Sequence, residues 1–253
     1  MIEQLWLIPL GFAAGILGSM IGLGGGIIVV PVLTFFGFPP TLSASNSLFA
    51  AFSNAVSSTI SYSRQKRVDY TLGLKLGLLT IPGTILGAYV SSDVAPGTFK
   101  ILFGMILVLS AVYIFVRKRI ETKEKTINIK IMIFAIGASF FAGIISSFFG
   151  IGGGIIFVPL MVVGMGMSMK KAAPTSQFIL LFASFSGVVV HSLLGHPDFI
   201  QGGLLACGSF IGGLVGARLS LEIRERYLQI LVSVIIAAAA IKLFFDSLAE
   251  LLI

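Results

Sequence analysis

The chain has 253 residues, of which 57% are hydrophobic and 11% charged, and its mean hydropathy is +1.06. Soluble domains carry about 25% charged residues, so a water-soluble globule is excluded and the chain reads as an integral membrane protein. The net charge of +7 does not signal nucleic acid here. Lys and Arg cluster between apolar runs, most densely from Arg117 to Lys130, as topology signals against lipid and cytoplasm do.

In chain order, the N-terminus MIEQLWLIPLGF carries Glu3 where a signal peptide needs positive charge, so it reads as mature sequence. Four apolar segments follow, at 4–37, 42–63, 71–91 and 98–116, then a charged linker at 118–129. Four more follow, at 130–166, 172–194, 199–219 and 227–249. The last three of each set have the length of one crossing, near 20 residues. The first of each set is too long for one crossing and too short for two, and a glycine run interrupts it.

The two halves repeat. GLGGGIIVVPVL begins at Gly22 and GIGGGIIFVPLM at Gly150, an offset of 128. Downstream the offset becomes 129, which implies one extra residue between 162 and 172. Ser47 then aligns with Ser176, Asp69 with Asp198, Tyr62 with His191, and Gly83 and Gly87 with Gly212 and Gly216. This is an internal duplication, dividing the chain into repeats at 1–117 and 130–253 about the 118–129 linker.

Charge sets the expected topology. Arg64, Lys66 and Arg67 follow the second segment of the first half, and Arg117 to Arg119 the fourth. In the second half Lys170 and Lys171 follow the first segment, and Arg224 and Arg226 the third. The basic loops alternate in opposite phase, so the halves are expected to insert upside down relative to each other. That requires an odd number of crossings per half. Each glycine-broken segment must then either re-enter its own side or cross twice, and its awkward length makes re-entry the expected case. The fold class is all-α integral membrane, with two inverted-topology repeats, each a glycine-broken segment plus three transmembrane helices. The chain is expected to be multi-pass in the cell membrane with the 118–129 loop cytoplasmic.

The glycine runs are not nucleotide loops, because Gly26 is followed by Ile27 and Ile28 rather than by Lys-Ser or Lys-Thr. Gly18, Gly22 and Gly26 at spacing four also fit plain helix packing, as do Gly83 with Gly87 and Gly212 with Gly216. An unwound stretch is tolerated in lipid only where it is buried or lines a cavity. It would turn the N–H groups of the next half-helix toward a bound anion. The candidate substrate-binding groups are Gly24, Gly25 and Gly26 with Asn46 and Ser47, and Gly152, Gly153 and Gly154 with Thr175, Ser176 and Gln177. The alternative for the Ser, Thr, Asn and Gln side chains, Asn54 and Ser57 among them, is helix capping and interhelical glue. Intramembrane His191 is a candidate for proton coupling, with packing as its alternative, and His196 reads as plain loop. Asp69 and Asp198 fit helix N-caps.

With both GxGGGxxxVP runs and the polar segments SASNS and APTSQ in hand, the chain resembles the TauE/SafE family of membrane permeases over essentially its whole length. The resemblance carries the motif positions Gly22, Gly24, Gly25, Gly26, Pro31 and Ser47, and Gly150, Gly152, Gly153, Gly154, Pro159 and Ser176. It implies movement of a small sulfur-containing anion, such as sulfite or sulfoacetate, by a secondary transporter, with export the expected direction. The expected partners are that anion, the lipid bilayer and, as an open option, a second copy of the chain. No cofactor, metal or catalytic residue is expected, because the apolar segments hold no carboxylate pair and one histidine. An accessory subunit of a membrane complex and a membrane enzyme are the alternatives.

Overall fold

The computed structural model describes residues 4–92, 94–116 and 129–222. The 118–129 linker, apart from its last residue, and the expected 227–249 segment lie outside the described residues. Every regular element described is helical. In chain order these are α1 (Leu7–Ile21), α2 (Gly26–Phe35), α3 (Pro40–Arg64), α4 (Tyr70–Ser92), α5 (Pro96–Val116), α6 (Ile129–Phe149), α7 (Gly154–Pro159), α8 (Met169–Leu193) and α9 (Phe199–Leu219), with a π-helical turn, Leu160–Gly164, extending α7. Among the described residues four spans are long and apolar enough to cross a membrane: Tyr70–Ser92, Ile131–Phe149, Met169–Leu193 and Phe199–Leu219. The protein is an all-helical membrane protein.

Both glycine runs break the chain where the repeat predicted. Gly22 ends α1 in the left-handed region at φ 81°. Its N–H and that of Leu23 both return to the Gly18 carbonyl, closing the last turn. Gly24 at φ 78°, and Gly150, Gly152 and Gly153 at 71°, 79° and 84°, hold the same region, which costs L-residues with a Cβ about 1–2 kcal/mol. Gly18, Gly22 and Gly26 therefore do not share one helix face, as plain packing would require: α1 ends before Gly22 and α2 begins at Gly26. After the break the chain doubles back. The Trp6 ring at the start of α1 lies 4.8 Å from Phe36 just beyond α2. Residues 4–37 thus form a helical hairpin.

The extra residue of the second repeat is located by its hydrogen bonds. Phe36 N–H reaches back four residues to Val32, whereas its counterpart Met165 reaches back five, to Leu160. One inserted residue in a helix is absorbed as a π-bulge, and here it falls at Leu160–Gly164, slightly earlier than the sequence alignment puts it.

The helices exchange partners between the halves. Gly208, Gly212 and Gly216 of α9 press on the backbone at Ile8, Phe12 and Ile16 of α1, and Gly83 and Gly87 of α4 on Phe140 and Ile144 of α6. These small residues let two backbones touch, the usual device where lipid offers no hydrophobic drive for association. The order of contacts also sets direction. α1 runs parallel to α9, and α3 does too, through Ser53 to the Ala206 carbonyl and Gln65 to Ala217. α6 and α8 run parallel to α4, with Gly73, Gly77 and Thr84 opposite Phe178, Phe182 and Ser186. α3 and α8 cross the centre antiparallel, with Leu48 opposite Gly187 and Ser58 opposite Gln177.

The two ends of the bundle differ in charge. Arg67 donates to the Lys170 carbonyl at 2.8 Å and to Ser220 Oγ at 2.9 Å, gathering one end, where Arg64, Lys66, Lys171 and Arg218 also lie in the chain. At the other end Ser92 meets His196, and the loops 36–39 and 194–198 carry no Lys or Arg.

α3 departs from the simple expectation of an apolar crossing. It has 25 residues, about 37 Å at 1.5 Å each, yet is too polar to count among the apolar spans. Its Ser43, Ser45, Asn46, Ser47, Asn54, Ser57 and Ser58 are all fully buried. Neighbouring helices, not lipid, solvate this helix. Close backbone contact is then what a bulky side chain should disrupt. Gly83→Leu and Gly212→Leu are expected to lose at least about 1–3 kcal/mol through overpacking. Gly137→Leu and Gly203→Leu, which meet nothing within 4 Å, are expected to be near neutral, as judged by unfolding midpoints in detergent.

Candidate functional site

The two glycine breaks touch one another at the centre of the bundle. A Cβ on Gly26 would overlap the Gly150 carbonyl, and one on Gly154 the Gly22 carbonyl. Each of these carbonyls has been freed from its helix by the break and accepts a hydroxyl from the other half. Ser47 Oγ donates to Gly150 O at 2.9 Å, and Ser176 Oγ donates to Gly22 O at 2.7 Å. The clasp is reciprocal, residue for residue. A buried carbonyl left without a partner costs about 1–3 kcal/mol, so these two serines are what lets the breaks persist.

The other polar candidates are likewise engaged within the protein. Asn46 Nδ2 donates to Gln201 Oε1 at 3.0 Å, and its Oδ1 accepts the Asp198 N–H at 3.0 Å. Thr175 Oγ1 accepts the Asp69 N–H at 3.0 Å, the corresponding bond of the other half. Asp69 and Asp198 cap α4 and α9 in turn, through Leu72 N–H and through Ile200 and Gln201 N–H. Gln177 Nε2 donates to Gly18 O at 2.8 Å, and its Oε1 faces Ser58 Oγ at 3.3 Å. These side chains surround the glycine breaks and tie α3 and α8 to the ends of the opposite half's helices.

His191 occupies the place of Tyr62 and makes the same bond. Tyr62 OH donates to the Ser19 carbonyl at 2.8 Å, and His191 Nε2 lies 3.0 Å from the Ser147 carbonyl. A carbonyl only accepts, so Nε2 carries the proton and Nδ1 is left as an acceptor. His196 Nδ1, 2.8 Å away, must then donate to it. His196 Nε2 is free to accept from Ser92 Oγ at 3.2 Å. His196 is therefore not plain loop: it links the ends of α4 and α8. Burial holds its pKa below the ordinary 6.5.

Among the described residues a few buried side-chain polar atoms are left unpaired. Both amide atoms of Asn54, Thr59 Oγ1, Ser146 Oγ and Ser147 Oγ are buried without a hydrogen-bond partner. Asn54 stood in the sequence as one polar residue among several on the second segment, with no signal to separate it from the serines around it. Between the breaks lies Leu180, fully buried. Its Cδ2 stands 2.7 Å from where a Cβ of Gly24 would be and 3.1 Å from where one of Gly152 would be. No cluster of His, Cys, Asp or Glu suited to a metal occurs among the described residues.

A bundle of apolar helices exchanging partners around two clasped hairpin breaks defines a polytopic membrane protein whose irregular backbone is gathered at its core. The family described as "Sulfite exporter TauE/SafE" matches residues 7–243. The chain belongs to this family of membrane transporters. Among its relatives, the probable membrane transporter protein YunE of Bacillus subtilis is 29% identical, covering 96% of this chain and 97% of that protein. A probable membrane transporter protein of Methanocaldococcus jannaschii is 26% identical over 92% and 94%. YfcA of Escherichia coli, with the same description, is 24% identical over 92% of this chain and 87% of its own. No solved structure matches the chain.

Removing one clasp should resemble removing the other. Ser47→Ala and Ser176→Ala are each expected to destabilise by about 1–3 kcal/mol, read as matched falls in the thermal midpoint of purified protein. The acid side of stability follows from His196. Its folded-state pKa is depressed, so the unfolded chain takes up the proton first, and stability falls as pH drops below about 6.5. His196→Gln is expected to make that fall shallower between pH 7.5 and 5.5.

Proposed function

We propose that the protein is a secondary transporter of a small sulfur-containing oxyanion, such as sulfite or a sulfonate, and that it exports this anion by alternating access about the paired glycine breaks. The observation that carries the reading is the reciprocal clasp. Two broken hairpins, one from each repeat, meet at a shared centre and are held by equivalent bonds. That arrangement supports two alternative, nearly equal states in which the centre opens to one end or the other. Family membership supports transport, and the family description supports sulfite as the anion to test first.

The same geometry supports inverted repeats. α1 and its counterpart α6 run in opposite directions through their parallel pairings with α9 and α4, which themselves belong to opposite directional sets. The clustered cations at one bundle end support that end as cytoplasmic. In this reading the hairpin 4–37 re-enters from outside and 130–166 from inside. Gly24, Gly25, Gly26, Gly152, Gly153 and Gly154 supply backbone at the substrate's level. Asn46, Ser47, Thr175, Ser176 and Gln177 hold that backbone in place through the bonds described above. No charged side chain is needed at the centre, since peptide dipoles at helix starts favour an anion there.

Transport is tested with labelled sulfite in proteoliposomes. Wild-type protein is expected to show counterflow. Gly26→Leu and Gly154→Leu, which force the two breaks apart, are expected to abolish it while the protein still inserts. Unchanged flux in both variants refutes a shared central site. Topology is tested with single cysteines in a Cys207→Ser background. Pro39→Cys and His196→Cys are expected to label from the same side, and Lys171→Cys from the other.

A further inference from the structure

Asn54 has no structural occupation. Its residue is fully buried on α3, and neither the oxygen nor the nitrogen of its amide finds a partner. A serine hydroxyl in a helix can turn back to a carbonyl one turn earlier, as Ser58 does to the Asn54 carbonyl. A primary amide brings two donors and two acceptor sites, and that of Asn54 makes no such bond to its own helix. In a membrane protein's interior, leaving it unpaired is costly, and an apolar residue of similar size would remove the cost. Contact with a polar ligand would account for an amide kept in this position.

Asn54 lies one turn along α3 from Ala51, on the helix face that meets the glycine breaks. Ser47, Ala51, Asn54 and Ser58 follow one another at helical spacing and share one face of α3. Ser47 on that face bonds the Gly150 carbonyl. Ala51 Cβ stands 3.5 Å from where a Cβ of Gly152 would be, and Ser58 reaches Gln177 of α8. The contacts of Leu48 with Gly187 and of Ser58 with Gln177 set an antiparallel register in which Asn54 lies level with Leu180 and Leu181 of α8. Leu180 is the side chain wedged between the breaks, and its counterpart in the first repeat is Ala51. The centre is thus asymmetric, with a free amide on α3 and an apolar plug on α8. Gly213 of α9 makes room for the amide, since a Cβ there would stand 2.5 Å from Asn54 Oδ1.

We propose that Asn54 is a substrate-contacting residue, donating its amide N–H to an oxygen of the bound anion, and that Leu180 fills the same space when the anion is absent. This rests on the transporter reading above and names the side chain through which that site recognises its substrate. A neutral amide suits the task. It donates to an oxyanion in a low-dielectric setting, where such a bond is strong, yet it adds no charge that would hold the anion in place and stop release. Leu180, a positioning residue in this scheme, sets the size of anion admitted.

The test is ligand-dependent thermal stabilisation of purified full-length protein by sulfite, sulfate, sulfoacetate and taurine, with labelled-sulfite flux measured in parallel. Wild type is expected to be stabilised by at least one of the anions. Asn54→Ala is expected to keep or raise the ligand-free midpoint, because an unpaired buried amide has been removed, and to weaken apparent affinity at least tenfold. Asn54→Gln is expected to recover part of the affinity. Leu180→Ala, which copies the residue of the other repeat, is expected to shift preference from sulfite toward the longer sulfoacetate. If Asn54→Ala lowers the ligand-free midpoint and leaves affinity intact, Asn54 is structural and the assignment fails, while the transporter reading stands. If no anion stabilises wild type and no sulfite flux is seen, the sulfur-anion reading falls and the assignment falls with it.

Discussion

The structure depends on how a backbone that has left its helix is satisfied where water is scarce. Each glycine break frees carbonyl and N–H groups deep in an apolar bundle, and each left unpaired there costs about 1–3 kcal/mol. The protein meets this by pairing the two defects. Ser47 from the first repeat covers the Gly150 carbonyl, and Ser176 from the second covers Gly22. Neither break is self-sufficient, so neither half can form its centre alone.

From that pairing the rest of the architecture follows. The serines must come from a helix that crosses the centre, which makes α3 and α8 the inner pair and fills α3 with buried hydroxyls and amides. The outer helices then pack by exchange, α1 on α9 and α6 on α4, through glycines that bring backbones into contact. Asn46 and Thr175 carry the exchange to the bundle ends by accepting from Asp198 and Asp69 N–H groups, at the same points where those aspartates start the next helices. Asn46, Ser47, Ser53, Thr175, Ser176 and Gln177 thus spend their polar atoms between the repeats, while serines such as Ser45, Ser57 and Ser184 turn back to their own helix. The Asn54 amide does neither.

Much of this was legible in the amino-acid sequence, for reasons that can be named. The duplication, the breaks at Gly22–Gly25 and Gly150–Gly153, and the aspartate caps are local chemistry, and left-handed glycines or N-caps need no distant partner to be recognised. The equivalence of Tyr62 and His191 was visible as an alignment, but their shared bond to the carbonyls of Ser19 and Ser147 was not. Which hydroxyls face a carbonyl of the other repeat and which are left unpaired depends on helix direction and register, which spacing along one chain does not encode. For that reason Ser47, Ser176 and Gln177 could be read equally as ligands or as interhelical glue, while Asn54 was indistinguishable from its neighbours. The one-residue slip in the repeat was also visible, but only hydrogen bonding places it at Leu160–Gly164 as a π-helical turn.

The exchange of α1 onto α9 has a consequence for how the molecule is made. Leu7–Ile21 finds its glycine-lined partner only in Phe199–Leu219, so the first hairpin emerges from the ribosome long before the surface it rests on exists. Until then its break has neither Ser176 nor α9 to cover it. A substitution in α9 is accordingly felt at α1, almost two hundred residues earlier in the chain.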